Sequence, residues 1–250
     1  MRIVTMTVGI DGYRRLEGRA SVNRRSYADE AITWVDRTGG GLIVFPSGYL
    51  RARDAAEAAV IARDIAVAHR TADVAVVMGI DACPPSKASK ASRDAEVASA
   101  SLPFFVAAWT AGSIRVVVRR QRSTTGKNYK LMPGRPKTLA AHGVTFGGQS
   151  VEILSCGEGF NQYLRDEIAK RDPAPTALVL PAHWAHGLRH WQALKYSSET
   201  LGLPAFCSVH TTNGNGLKQA WVPPGRNIGT GRSVHQVGSE PRLELAEWHL

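Results

Sequence analysis

The chain has 250 residues, 44% of them hydrophobic, and its 31 lysines and arginines outnumber its 21 acidic residues to give a formal charge of +10. That length supports one large α/β domain, read here as a single domain over residues 1–250, and no apolar run is long enough to cross a bilayer. With no charged segment and apolar stretch of signal type at the start, a soluble, cytoplasmic protein without a membrane partner is expected.

Apolar runs of strand length alternate with amphipathic stretches, the pattern of an α/β fold. Arg2 to Val8 reads as a first strand, Ser26 to Arg37 as a helix ended by Gly39-Gly40, and Gly41 to Pro46 as a strand apolar enough to be covered on both faces. An alanine-rich helix runs from Asp54 to Arg70, with the aspartate at its start, and a strand from Asp73 to Ile80. Pro84 to Ser101 reads as a solvated excursion with a helical turn, of the kind that can form a lid.

Phe104 to Thr110 and Ser113 to Arg120 read as paired strands, and Val144 to Phe146 with Ser150 to Ser155 as a hairpin around Gly147-Gly148. Asn161 to Lys170 is a helix, Ala177 to Pro181 a strand, Leu188 to Leu201 a helix and Ala205 to His210 a strand. From about residue 213 the chain is rich in glycine and proline and is expected to be an irregular tail. Val74 to Met78 and Leu178 to Leu180 share the continuous hydrophobicity of Leu42 to Phe45, so all three are expected inside a two-sheet sandwich.

The charge raises the question of nucleic acid. Arg14-Arg15, Arg24-Arg25, Arg51-Arg53 and Arg119-Arg120-Gln121-Arg122 are separate clusters, with no zinc finger, basic zipper or aromatic ribonucleoprotein motif among them, so no specific nucleic-acid partner is expected. Cys83, Cys156 and Cys207 are too scattered for a disulfide framework or a zinc site. His183, His186 and His190 have helical spacing, but no carboxylate motif accompanies them and Gly187 interrupts the run, so no metal or cofactor is expected. His183 and Trp184 read instead as pocket-wall residues after a strand end, and the glycines from Gly214 to Gly231 make no phosphate loop.

Cys156 is the leading functional candidate. It falls where the strand ending at Ser155 turns into Gly157-Glu158-Gly159-Phe160 and the next helix, at the sheet edge where α/β proteins place their chemistry, and a helix N-terminus there favours a thiolate. A small buried hydrophobe is the plainer reading of the same residue.

Three segments together resemble the nitrilase, or carbon–nitrogen hydrolase, superfamily: Gly41-Leu42-Ile43-Val44-Phe45-Pro46, Leu154-Ser155-Cys156-Gly157-Glu158, and Ala177 to Trp184 followed by His190-Trp191. The resemblance implies a four-layer α-β-β-α sandwich, a homo-oligomer and a Glu-Lys-Cys triad that opens an amide or nitrile carbon of a small-molecule substrate. It departs from the family at the glutamate slot, where Phe45-Pro46 is followed by Ser47, and a serine hydroxyl is no general base near neutral pH without a partner of its own. Asp81, at the end of the neighbouring strand, and Glu158 are the candidate stand-ins. Asp81 also reads as a turn residue, and a carboxylate at Glu158 would be stabilised in a first helical turn whatever its function. For the lysine, Lys130 in Lys130-Leu131-Met132-Pro133 matches the local pattern, with Lys127 and Arg120 as alternatives.

Two functions are thus in view. One is a cysteine-dependent amidase-like hydrolase with Cys156, Lys130 and Glu158 catalytic and Ser47, Asp81, His183 and Trp184 lining the substrate site. The other is a non-catalytic protein of the same fold that binds a ligand or a partner.

Overall fold

The computed structural model describes residues 1–9, 20–82, 102–110, 112–113, 115–122, 143–183, 188–211, 220–226, 228–236 and 243–250. Its elements in chain order are β1 (Arg2–Gly9), α1 (Ala20–Arg37), β2 (Gly41–Val44), β3 (Leu50–Arg51), α2 (Ala55–Ala68), β4 (Val74–Asp81), β5 (Phe104–Thr110) and β6 (Val117–Arg120). After them come β7 (Gly143–Phe146), β8 (Gln149–Ile153), a 3₁₀ turn (Cys156–Phe160), α3 (Gln162–Ala169), β9 (Ala177–Ala182), α4 (Leu188–Leu201), β10 (Ala205–Thr211), β11 (Ala220–Trp221), β12 (Gly229–Gln236) and β13 (Leu243–His249). No helix among the described residues is long and apolar enough to cross a membrane.

The strands lie in the order β6-β5-β4-β2-β1-β10-β9-β8-β7. This path is two leaves joined at a fork in β1. Thr5 pairs with Val44 of β2 and Thr7 with Val209 of β10, while β13 runs antiparallel to β1 from Arg2 to Val8. A strand has two edges, so β2 and β10 share one edge of β1 and part company near Met6. Ser208 fills the gap: the Met6 N–H donates to its Oγ at 3.0 Å and the hydroxyl donates to the Val44 carbonyl at 2.6 Å. The backbone groups left by the fork are thereby satisfied inside the core.

Side-chain alternation then builds four layers. Ile43, Val76 and Met78 face α1 and α2, meeting Ile32, Val35 and Ile65. On the opposite face Leu42, Val44 and Val77 meet Ile153, Val179 and Phe206 of the other leaf. Beyond that leaf Leu178, Leu180 and Val209 pack on Leu164 and Leu194 of α3 and α4. β2, β4 and β9 are buried on both faces and paired on both edges, as their unbroken hydrophobicity predicts. The α-β-β-α sandwich is the observed architecture.

Several sequence expectations need correction. The segment from about 213 is not wholly irregular: it supplies β11, β12 and the long strand β13, whose Leu243 and Leu245 are buried while Glu244 and Glu247 are less so. This is the two-residue alternation of a half-buried strand. The second strand of the Phe104 hairpin is shorter than Ser113 to Arg120, and Cys156 opens a 3₁₀ turn rather than an α-helix, with α3 beginning only at Gln162. α1 begins earlier than Ser26, at Ala20.

Candidate active site

Four strand ends form one rim. β2 runs into Pro46-Ser47-Gly48, β4 ends at Asp81, β8 leads through Ser155 to Cys156, and β9 leads to His183. Parallel neighbours in an open sheet put their carboxyl ends on the same side, so residues far apart in sequence converge there.

Asp81 and His183 are in direct contact. The carboxylate oxygens lie 3.0 and 3.1 Å from His183 Nε2, both side chains are largely buried, and the Phe104 ring packs on the imidazole with centroids 4.5 Å apart. The Cys156 thiol lies near enough to this imidazole, and to the backbone N–H groups of His183 and Gly157, for each of them to lower its pKa. Burial pushes the Cys156 thiol up, but the His183 cation and these N–H groups outweigh it, and its pKa is lowered. Burial likewise opposes a charge on His183, yet Asp81 and the Cys156 thiolate raise its pKa well above the usual histidine value. The arrangement is a Cys156–His183–Asp81 line that favours a thiolate–imidazolium pair.

Close packing at two glycines admits this geometry. Gly48 has φ +67°, and a Cβ there would stand 2.6 Å from Asp81 Oδ2. At Gly79 a Cβ would stand 2.2 Å from the Ser47 Cα, so only glycine lets the Pro46–Gly48 turn lie against β4. Cys156 itself adopts φ +46°, in the left-handed region that a non-glycine residue seldom occupies.

Ser47 joins the rim without a charge. Its hydroxyl donates to the Pro181 carbonyl at 2.8 Å and meets the Ser155 hydroxyl at 3.0 Å, and Ser155 in turn reaches Gln121 at 3.3 Å. The slot in which the resemblance expects a glutamate therefore holds a buried network of hydroxyls and an amide.

Glu158 belongs to a different system. Its two oxygens accept both terminal nitrogens of Arg119 at 2.7 Å, the Arg122 N–H at 2.8 Å and the Ser155 N–H at 2.8 Å. A carboxylate so engaged, and only 1% exposed, fastens the Cys156 turn to β6 with both oxygens already accepting charge-assisted or backbone hydrogen bonds. Arg120, the alternative for the lysine, donates to the Leu102 carbonyl and stacks on Phe105 at 4.7 Å. Lys130, Lys127, Trp184, His186, Cys83 and the Pro84 to Ser101 excursion lie outside the described residues. His190 lies on α4, and among the described residues no group of three or more His, Cys, Asp or Glu is placed to hold a metal.

Two residues that the sequence reading passed over complete the surroundings. His210, near the end of β10, is 3.0 Å from the His183 carbonyl oxygen through Nδ1 and 3.2 Å from Arg24 Nη1 through Nε2. Cys207 donates its thiol to the Leu180 carbonyl at 2.9 Å, and burial pushes it well up, so it stays neutral. The available signal was positional: His210 stands at the end of a strand beside the one that leads to His183.

No family model and no curated protein matches the chain in sequence. Solved structures do match its fold. A mutant of the amidase from Nesterenkonia sp. AN1, with acrylamide added at its active-site cysteine, superposes with a TM-score of 0.61 at 14% identity, over 98% of this chain and 92% of that one. A second mutant of the Nesterenkonia AN1 amidase, of the nitrilase superfamily, gives 0.60 at 13% identity over 98% and 90%. A CN-hydrolase superfamily protein from Xanthomonas campestris, with an arsenic adduct in its active site, gives 0.56 at 11% over 84% and 76%. With the four layers and the placement of Cys156 in view, the chain has the fold of the nitrilase, or carbon–nitrogen hydrolase, superfamily, in a divergent form.

Proposed function

We propose that the protein is a cysteine-dependent hydrolase of a carbon–nitrogen bond in a small molecule, with Cys156 as nucleophile, His183 as proton carrier and Asp81 as the group that orients His183. The observation that carries this reading is the contact of the Asp81 carboxylate with the His183 imidazole, on the same rim of strand ends to which β8 leads Cys156. In this scheme the Cys156 thiolate attacks the carbonyl carbon and forms a tetrahedral adduct. The His183 imidazolium gives its proton to the departing nitrogen, the carbon–nitrogen bond breaks, and an acyl thioester remains on Cys156. Water then attacks the thioester while neutral His183 takes its proton, the carbon–sulfur bond breaks, and the acid leaves with thiolate and imidazolium restored.

The base is thus moved from the end of β2 to the ends of β4 and β9. Lys130 remains the cation proposed for the oxyanion, assisted by N–H groups of the Cys156 turn. The resemblance supports a homo-oligomer, the scattered cysteines a reducing, cytoplasmic setting, and the length a single domain. Ser47 favours a second reading, in which the fold survives as a binding module, because the family's general base is gone from its slot. Ammonia release from a panel of short aliphatic amides separates the two: the hydrolase reading expects turnover by the natural protein and none by Cys156→Ala or His183→Ala. A folded natural protein that turns over none of the panel, and whose Cys156 alkylates like an ordinary thiol, would leave the binding module.

A further inference from the structure

We propose that His210 is a positioning residue for His183, with Arg24 fixing the tautomer in which it works; this rests on the reading of Cys156, His183 and Asp81 as the reactive group. Arg24, on α1, has a guanidinium that stays charged and can only donate. Its Nη1 lies 3.2 Å from His210 Nε2, so that nitrogen must be the acceptor. A neutral imidazole with an accepting Nε2 carries its proton on Nδ1, and Nδ1 is 3.0 Å from the carbonyl oxygen of His183. His210 therefore presents one donor in one direction.

That donor acts on the residue whose placement matters. His183 is held at its ring by Asp81 and at its carbonyl by His210. Without His210 the His183 carbonyl loses this tie, and the ring can leave the line between carboxylate and sulfur. Arg24 also ties in the Ser47 turn. It donates to the Tyr49 carbonyl at 2.9 Å, its guanidinium lies 5.3 Å from the Tyr49 ring centroid, and Tyr49 returns a hydrogen bond to the Arg24 carbonyl at 3.1 Å. One cation from the helical layer thus braces two of the four strand ends that form the rim.

Among the described residues the charged and titratable groups in play are few. His210 faces Arg24 and His183; His183 faces Asp81, Cys156 and His210; Cys156 faces His183 and, more remotely, Cys207. Burial and the Arg24 charge both hold His210 well below the usual histidine pKa, so it does not itself titrate near neutrality.

The test uses two isosteric variants and the pH profile of Cys156 alkylation by iodoacetamide, followed at the Cys156 peptide by mass spectrometry. An Asn amide nitrogen reproduces the Nδ1 donor, whereas a Gln amide reproduces the Nε2 end and leaves the His183 carbonyl without its donor. His210→Asn is expected to keep the low alkylation midpoint of the natural protein, and His210→Gln to lose roughly tenfold in rate at pH 6, a midpoint raised by about one unit. Equal profiles for the two variants, whether both natural or both impaired, would overturn the positioning role. In the natural protein, ¹⁵N shifts should show His210 with Nδ1 protonated and Nε2 bare from about pH 5 to pH 9. The opposite tautomer, or a titration in that range, would overturn the proposal without any variant. A natural protein whose Cys156 titrates near the ordinary 8.5 would instead sink the reading on which it rests.

Discussion

Asp81 and His183, 102 residues apart in sequence, meet with both carboxylate oxygens within 3.1 Å of one imidazole nitrogen. Gly48 makes room for the carboxylate, and Phe104 closes the other face of the ring. In a buried setting such a contact favours the imidazolium, and the imidazolium favours the thiolate beside it.

The pH dependence follows from the two directions. The reactive pair exists above the lowered Cys156 pKa and below the raised His183 pKa, so hydrolysis should show a plateau across neutrality, falling at low pH as the thiolate protonates and at high pH as His183 loses its proton. Asp81→Asn removes the charge that supports the upper limb. Its plateau should narrow from the alkaline side, with a rate loss on the order of 10²- to 10⁴-fold. An Asp81→Asn profile that superimposes on the natural one would exclude Asp81 from this role.

Cys156→Ala should abolish hydrolysis and leave thermal stability close to that of the natural protein. Because residue 156 sits at φ +46°, Cys156→Gly should be the more stable of the two inactive variants, by about 1 kcal/mol. Denaturant titration of the pair checks this, and a more stable alanine variant would argue against a left-handed backbone there.

Ser47→Glu should lower both stability and any activity. The position is 2% exposed, a carboxylate cannot donate to the Pro181 carbonyl, and a negative charge near Cys156 raises the thiol pKa. A gain of amidase activity in Ser47→Glu would show instead that the base is missing, not moved.

Glu158→Gln should behave as a stability defect. It weakens a buried pair with Arg119 and leaves an uncompensated buried guanidinium, a change that costs about 3–5 kcal/mol when one partner is removed. Combining it with Arg119→Met should recover part of that loss. A stable Glu158→Gln protein with no activity would restore Glu158 as a catalytic candidate.

Glu152 supplies a test by stability alone. It is 1% exposed, and burial, only partly offset by Arg171 and Arg119, pushes its carboxyl up to about 7. A carboxyl with a folded pKa above its unfolded value is most favourable to the fold when protonated, so this contribution is full below the unfolded pKa and is lost as pH rises toward 7. Unfolding free energies measured from about pH 4.5 to pH 8 should decline for the natural protein, and the decline should be smaller for Glu152→Gln.

Much of this molecule was legible in the sequence because burial on both faces leaves a direct mark. β2, β4 and β9 are short, unbroken and apolar, and a chain with such strands and amphipathic stretches between them has few ways to fold. The rim was legible for the same reason, since Ser47, Asp81, Cys156 and His183 all follow strand ends. Chemical roles were not. Nothing in Pro181-Ala182-His183 says that its ring meets Asp81, and Glu158 stood beside Asp81 as a candidate stand-in for the base because a carboxylate near a cysteine looks the same in sequence whether or not an arginine from β6 has taken both its oxygens. β13 was missed because a glycine- and proline-rich stretch precedes it and hid the alternation of Leu243 and Leu245.

The pairing of β1 with β13 bears on how the protein comes into being. β1 is made well before its partner β13, and one whole edge of it stays open until residues 243–249 have been made. Closing a contact between segments so far apart in sequence is entropically slow, so an exposed apolar strand persists until β13 is made. Nascent chains stalled before residue 243 should therefore recruit holdase chaperones, and should release them once β13 has emerged.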